Sequence, residues 1–282
     1  MYPGQQVSQL VYYGLYSLQH RGQEATGIAV SDKKQILVYK DVGLVSQVFN
    51  DQNLAALRGD LAIGHVRYAT TGVRSWENAQ PTLGPTPFGT VALAHNGNLT
   101  NTTELMADVR KLSGADLRGE LGRGSSTDTS VITAMFGLQT QATSLEERAL
   151  EVFPQLHGAF SLTFMDESTL YAARDRHGFR PLVLGQLDGG WVVASETAAL
   201  DIVGAEFVRE VEPGEFLIIT ADGQVRSRRW APTARAGCVF EYVYLARPDT
   251  TINATIVKSA RTEMCRVLAR EHPVEADLVM PT

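Results

Sequence analysis

The sequence predicts an α+β fold, and three observations carry that expectation. Near the start, apolar residues recur at helical spacing at Val7, Leu10, Val11, Leu15 and Leu18. Residues 127–138 and 145–156 return to that pattern. From Ala159 onward the period shortens to two, or to short apolar runs punctuated by the turns Asp188-Gly189 and Asp222-Gly223. Two antiparallel sheets packed on one another and covered by helices would bury this set of faces.

Taken in order, the first helix is expected over 6–20, stopped by Arg21-Gly22. Residues 27–30 and 35–39 flank the polar Ser31-Asp32-Lys33-Lys34 and read as a hairpin, and 44–58 as a short helix. Leu61-Ala62-Ile63 is a strand that runs into Gly64-His65-Val66-Arg67-Tyr68-Ala69-Thr70-Thr71-Gly72. Rich in Pro, Gly and Asn, 73–89 reads as an irregular connection, of the kind that forms lids and pocket walls. Val91-Ala92-Leu93-Ala94 is a second strand, ending in His95-Asn96-Gly97-Asn98. A helix over 102–112 has Thr100 or Asn101 as its cap, with Glu104 completing a capping box. The four glycines of 113–126 point to a mobile surface loop, and Ser144 with Glu147 opens the helix 145–156. Strands are expected at 159–164, 170–173, 182–185, 191–194, 216–219 and 225–230, with a short helix near 196–203. Residues 231–237 read as a linker, 239–244 and 276–280 as strands, and the apolar face from Ile256 to Leu268 as a helix stopped near Pro273.

Composition narrows the function. With 282 residues, 44% of them hydrophobic, the chain can bury a large core as one sizeable domain and part of another. A net charge of -6, with no basic run, argues against nucleic acid or an anionic membrane as partner. Apolar runs such as Phe216-Leu217-Ile218-Ile219 are far short of a membrane span, and 1–20 lack a signal-peptide layout, so a cytoplasmic location is the default expectation. Two cysteines, Cys238 and Cys265, form neither a disulfide framework nor a metal-ligand spacing.

The pair GHVRYATTG at 64–72 and AHNGN at 94–98 resembles the glutamine-binding half of the N-terminal-nucleophile amidotransferases, most closely the amidophosphoribosyltransferase family. YYGLYSLQHRGQEATGIAV at 12–30, SSTDTS at 125–130, RDRHGFRPL at 174–182, ASETAAL at 194–200 and CVFEYVYLARPDT at 238–250 extend the likeness over essentially the whole chain. The resemblance implies a four-layer αββα sandwich over 1–230, the linker 231–237, and in 238–282 the start of a type I phosphoribosyltransferase α/β domain. It also implies glutamine hydrolysis, with ammonia passed to phosphoribosyl pyrophosphate to form 5-phosphoribosylamine in purine synthesis. Two rivals are another class II amidotransferase, against which CVFEYVYLARPDT argues, and a non-catalytic glutamine-binding or subunit-interaction protein.

Glutamine presents an α-carboxylate, an α-ammonium and a carboxamide, so its pocket needs a forked donor, an acid and an oxyanion site. Arg67 can grip the carboxylate bidentately, helped by the Thr70 hydroxyl. Asp128, at the start of a helix, is by spacing a capping carboxylate, and the resemblance assigns it to the ammonium. Asn96 and Gly97 would read as a hairpin turn on spacing alone. By resemblance they are the oxyanion hole, one amide side chain and one peptide N–H. His65 and His95 are expected to be buried scaffold, Tyr16, Tyr68 and Trp76 could line a pocket but are expected in the core, and Glu24, Asp175 and Glu196 are expected loop anchors.

In this family the nucleophile is a cysteine at the mature N-terminus, its own α-amine serving as the base. The chain opens Met1-Tyr2-Pro3-Gly4, with no Cys, Ser or Thr at residue 1 or 2, and Ser8 lies within the first helix. The family's short apolar strand, expected just before the segment matching Pro3-Gly4, is not in the sequence. With the rest of the pocket intact, a fragment or a misplaced start is expected rather than a dead copy, and this chain by itself should be inactive. Mg²⁺ and phosphoribosyl pyrophosphate are expected only of a full-length form, as is a 4Fe-4S cluster, for which Cys238 matches one ligand position in some members. No cofactor is expected for this chain. Glutamine is the expected partner, and the resemblance implies a homo-oligomer.

Overall fold

The computed structural model describes residues 6–68, 75–114, 117 and 119–280. Helix α1 (Val7–Ser17) leads into the hairpin β1 (Ala25–Ser31) and β2 (Ile36–Val42), then the short helices α2 (Val45–Val48) and α3 (Asp51–Ala56) and strand β3 (Leu61–Arg67). β3 comes back along β1, giving an antiparallel sheet of order β2-β1-β3.

Strands β4 (Thr82–Thr86) and β5 (Gly89–Leu99) follow as a hairpin. The connection 73–89, irregular by composition, therefore contains a strand. Pro85 obscured it, and is tolerated because β4 is the edge of its sheet. Helices α4 (Thr102–Ser113), α5 (Gly119–Gly122), α6 (Asp128–Phe136) and α7 (Leu145–Val152) come next. The expected loop 113–126 thus holds α5, with Glu120 and Ser125 buried. Asn101 stands at the N-cap of α4 but does not cap it, because its amide ties down the 155–157 turn, donating to Gln155 O and accepting from His157 N. Ser144 caps α7 as expected, accepting from Glu147 N.

Strands β6 (Gly158–Met165) and β7 (Leu170–Arg174) extend the second sheet, β8 (Val183–Leu187) and β9 (Gly190–Ala194) form a hairpin, and α8 (Thr197–Val203) precedes β10 (Glu206–Glu210), β11 (Glu215–Ile219) and β12 (Val225–Arg229). The large sheet has the antiparallel order β12-β11-β7-β6-β5-β4, and a second small sheet the order β10-β8-β9. β10 gives no strand signal in the sequence, because its outward residues Phe207 and Val208 break the alternation.

Three apolar interfaces define four layers. Ile28, Val30, Val66, Val183 and Ala194 pack against α1, α2 and α8. Their strand neighbours Ala29, Ile63, Leu182 and Leu184 point the other way, onto Ala92, Ala94, Ala172 and Leu217 of the large sheet. The far face of that sheet carries Leu93, Phe160, Phe164 and Phe216 against α4, α6 and α7, with Phe153 edge-on to Phe216 at 5.1 Å. The two small sheets therefore share one layer of the expected αββα sandwich. Among the described residues no helix is long and apolar enough to cross a membrane.

After β12 the chain stays pinned to the sandwich, with Ala234 N bonded to Arg176 O and Ala236 N to His177 O. The expected strand 239–244 is instead a wide helical turn, Glu241–Leu245, closed by Ala246 N on Glu241 O. Glu241 dictates this, since a buried carboxylate must face its partners Arg21 and Arg180 at 2.8 and 3.0 Å. The short strands β13 (Thr251–Ile252) and β14 (Thr255–Ile256) and the helix α9 (Val257–Glu271) complete the chain, and no strand forms at 276–280.

Candidate functional site

The ends of β3 and β5 and the start of α6 meet at a cavity of about 170 Å³, lined by Arg67, Gln80, Asn96, Gly97, Asp128 and Tyr244 among others. Four residues singled out from the sequence, Arg67, Asn96, Gly97 and Asp128, thus surround one space. Thr70 lies outside the described residues.

Arg67 is the last residue of β3 and only 3% exposed, its Nη1 3.3 Å from Glu24 Oε2. Gly22 packs directly on it, where a Cβ would lie 2.4 Å from the Arg67 carbonyl carbon, so the loop beneath the guanidinium can close only with glycine.

β5 departs from β4 after Leu93, which leaves its further N–H groups without a strand neighbour on that side. The peptide N–H of His95 donates to Gln80 Oε1 at 2.8 Å, and that of Leu99 to Asp128 Oδ2 at 3.1 Å. Strand alternation puts the N–H of Gly97 between these two, on the same side, facing the cavity. A Cβ on residue 97 would meet Ala159 O at 2.1 Å and His95 Nε2 at 2.6 Å. Beside it, Asn96 Nδ2 is buried with no hydrogen-bond partner among the described residues.

Thr127 caps α6, accepting from Ser130 N at 3.2 Å, so Asp128 is not the cap. Its Oδ1 accepts from Thr129 N at 2.9 Å, and its Oδ2 lies 3.5 Å from His95 Nδ1. Burial pushes this carboxyl up, but the His95 imidazole and the N–H donors of Leu99 and Thr129 outweigh burial and hold it below the usual carboxylate range. The Thr129 hydroxyl, at 3.5 Å from Oδ1, and His95, at 3.5 Å from Oδ2, are its long contacts, the ones a ligand cation could displace. His65 and His95 are scaffold as expected: His65 Nε2 donates to His95 O at 3.1 Å, tying β3 to β5.

A second cavity, of about 160 Å³ and mainly apolar, adjoins the first, and Gly64, His65, His95 and Asn96 line both. It lies between the edge strands β3 and β9, with Val11 and Leu15 of α1 on one side and Ala94 of β5 on the other.

Glu196 and Asp175 anchor loops as expected. Glu196, fully buried, accepts from Arg21, Thr250 and Arg247 N, and Asp175 from His177 N and Gly178 N. The expectation of core packing is corrected: Tyr16, Tyr68 and Trp76 are 58%, 63% and 40% exposed, and of the three Tyr68 lines the polar cavity. Tyr16 lies on the outer side of α1 and Tyr68 just past β3, while Trp76 spends its indole N–H on Lys40 O. Cys238 is half-buried and Cys265 exposed. Among the described residues no group of three or more His, Cys, Asp or Glu comes together that could hold a metal ion.

Residues 65–202 match the glutamine amidotransferase domain family. Amidophosphoribosyltransferase of Mycobacterium tuberculosis is 59% identical over 279 residues, covering 99% of this chain and 52% of that protein. That of Methanocaldococcus jannaschii is 41% identical, covering 98% and 60%. The solved structure of glutamine phosphoribosylpyrophosphate amidotransferase from B. subtilis, complexed with ADP and GMP, superposes with a TM-score of 0.86 at 41% identity, over 96% of this chain and 57% of that one. The chain spans about half the length of the curated relatives it matches.

Proposed function

The chain belongs to the amidophosphoribosyltransferase family, and from that premise we propose that its polar cavity binds glutamine and holds it for attack on the side-chain amide. The orphaned Asn96 Nδ2 beside the inward N–H of Gly97 carries the reading. Two donors that converge on one point, one of them buried and unpaired, are what a developing oxyanion needs, and each such donor is worth roughly 2.7 to 4 kcal/mol in the transition state. Arg67 takes the α-carboxylate and Asp128 the α-ammonium, which fixes the register of the carboxamide against those donors.

The apolar slot supports a reading of where the nucleophile would sit. β3 and β9 are edge strands of two small sheets in one layer, and an extended apolar segment between them would pair with both and join the sheets. Its end would reach the shared wall at Asn96. A cysteine carried there matches the family's N-terminal nucleophile, whose α-amine, titrating near about 7.7 to 8.0, accepts the thiol proton. The thiolate attacks the carboxamide carbon, ammonia leaves, and water releases glutamate.

The relatives' names extend the proposal to a full-length form in which the ammonia displaces pyrophosphate from phosphoribosyl pyrophosphate. Mg²⁺ would accompany that substrate and not this cavity. A homo-oligomer in the cytoplasm completes the proposal. Neither rival reading finds support among these relatives.

Calorimetry tests the pocket. Glutamine is expected to bind the chain with one-to-one stoichiometry, and Arg67→Met to weaken binding by roughly a hundredfold, the worth of a charge-assisted bidentate contact. Equal affinity in both proteins would overturn the reading. The pH dependence carries a second expectation. Because the folded-state pKa of Asp128 is depressed, its charge is lost at a lower pH than that of an ordinary aspartate. Measured where urea midpoints show the chain still folded, glutamine affinity should begin to fall at a lower pH than an ordinary aspartate would set. A fall at or above that ordinary value in the folded chain would mean that Asp128 is not the ammonium partner.

A further inference from the structure

Residues 78–81 lie just ahead of β4, carry no motif of their own, and do something no single residue of the cavity does. Lys40 on β2 shares the inward parity of Ile36 and Val38, yet it is a lysine with a fully buried ammonium. Its Nζ donates to Ala79 O at 2.7 Å and to Pro81 O at 3.2 Å, and pairs with Glu120 Oε1 at 2.6 Å. The Trp76 ring covers it at 4.9 Å. Only a multiple donor can hold two carbonyls of one extended segment at once, which is the physical reason for a charge here.

The side chains of the intervening residues serve the cavity. Gln80 Oε1 accepts the N–H of His95 at 2.8 Å, in the place that β4 vacates, and His95 immediately precedes Asn96 and Gly97. Asn78 Oδ1 accepts from Ser125 Oγ and Ser126 N, both at 3.1 Å, and these precede Thr127 and Asp128. One segment therefore bonds the strand that carries the oxyanion donors and the loop that carries the acid. Packing leaves it little room, since a Cβ on Gly27 would meet Gln80 O at 2.3 Å and Lys40 Cβ at 2.6 Å.

We propose that residues 78–81 are a positioning clamp for the glutamine cavity, anchored by Lys40, in which Gln80 sets the Asn96-Gly97 donors and Asn78 sets Asp128. The proposal rests on the glutamine reading. Lys40 does not line the cavity, so it acts only through this segment. Burial pushes the Lys40 ammonium down and the Glu120 carboxyl up from their ordinary values, so the pair is held by its geometry against a desolvation penalty.

Amide hydrogen exchange and glutamine calorimetry on the full chain test it together. Gln80→Leu should speed exchange at the His95 amide and weaken glutamine by about tenfold, the worth of one buried hydrogen bond. Gln80→Glu, which keeps the accepting oxygen, should keep the His95 amide protected. Lys40→Met should expose both the His95 and the Ser126 amides, and if that variant fails to fold, Asn78→Ala replaces it at Ser126. Unchanged exchange in Gln80→Leu, or lost protection with unaltered affinity, overturns the clamp. A wild-type chain that binds no glutamine overturns the reading beneath it instead, while the exchange data still decide whether the clamp exists.

Discussion

Gly97→Ala should remove glutamine binding and weaken the fold at the same time, by about 3 kcal/mol, the upper end for a forced methyl in a packed interior. The new Cβ would lie 2.1 Å from Ala159 O and 2.6 Å from His95 Nε2. Neither obstacle can yield cheaply. Ala159 faces Asn98 in the β5–β6 ladder, beside the Gly97–Phe160 pair, so moving its carbonyl breaks the register that aims the Gly97 N–H. The His95 ring is wedged between two oxygens, Ala159 O at 3.2 Å from Nε2 and Asp128 Oδ2 at 3.5 Å from Nδ1. Relief by tilting the imidazole would therefore carry Asp128 with it, and both ends of the substrate would lose their partners. Urea denaturation and glutamine calorimetry on the same protein check this. A Gly97→Ala chain with native stability and native affinity would show that the strand has slack, and the oxyanion assignment would fall with it.

The coupling of those neighbours explains what the sequence could and could not disclose. Arg67 and Asp128 were legible because one ends β3 and the other begins α6, and Asn96 and Gly97 because their motif has its own chemistry although β5 runs on through them to Leu99, and the fold brings all four to one cavity. The helices were legible where an apolar stripe or a cap fixed them, as at Ser144. What failed did so for local reasons. β4 is interrupted by Gly84 and Pro85, and only its partner β5 makes it a strand. The turn at 241–245 looks like a strand in composition, and the ion pairs of Glu241 with Arg21 and Arg180 decide otherwise. Tyr16, Tyr68 and Trp76 are expected inside on chemical type alone, with no pattern to say which way they face. Lys40 left one readable trace, a charge at an inward parity on β2, but its meaning lies in Ala79, Pro81 and Glu120, which only the folded chain assembles.

His65 supplies the other large effect, on stability against acid. Its Nδ1 is buried with no partner among the described residues, while Nε2–H is committed to His95 O. A second proton on the ring would therefore find no acceptor, with the Arg67 charge close by. Burial holds the imidazole to about 3, against an ordinary value near 6.5. The sign follows from proton counting. Between those two values the unfolded chain binds the proton and the folded chain does not, so the stability is intact above about pH 6.5 and drains as the pH falls toward about 3. By pH 4 the loss should be on the order of 3 kcal/mol. His65→Met removes the titration. At pH 7 it should be less stable by about 1 kcal/mol, for the lost bond to His95 O. Its stability should then fall less steeply with acid than that of wild type, so that the two urea midpoints cross between neutral pH and pH 4. Every other titrating group is common to both proteins, which isolates this one. Midpoints that stay parallel down to pH 4 would mean that His65 takes up its proton in the folded state, and that the wall between the apolar slot and the polar cavity is wet.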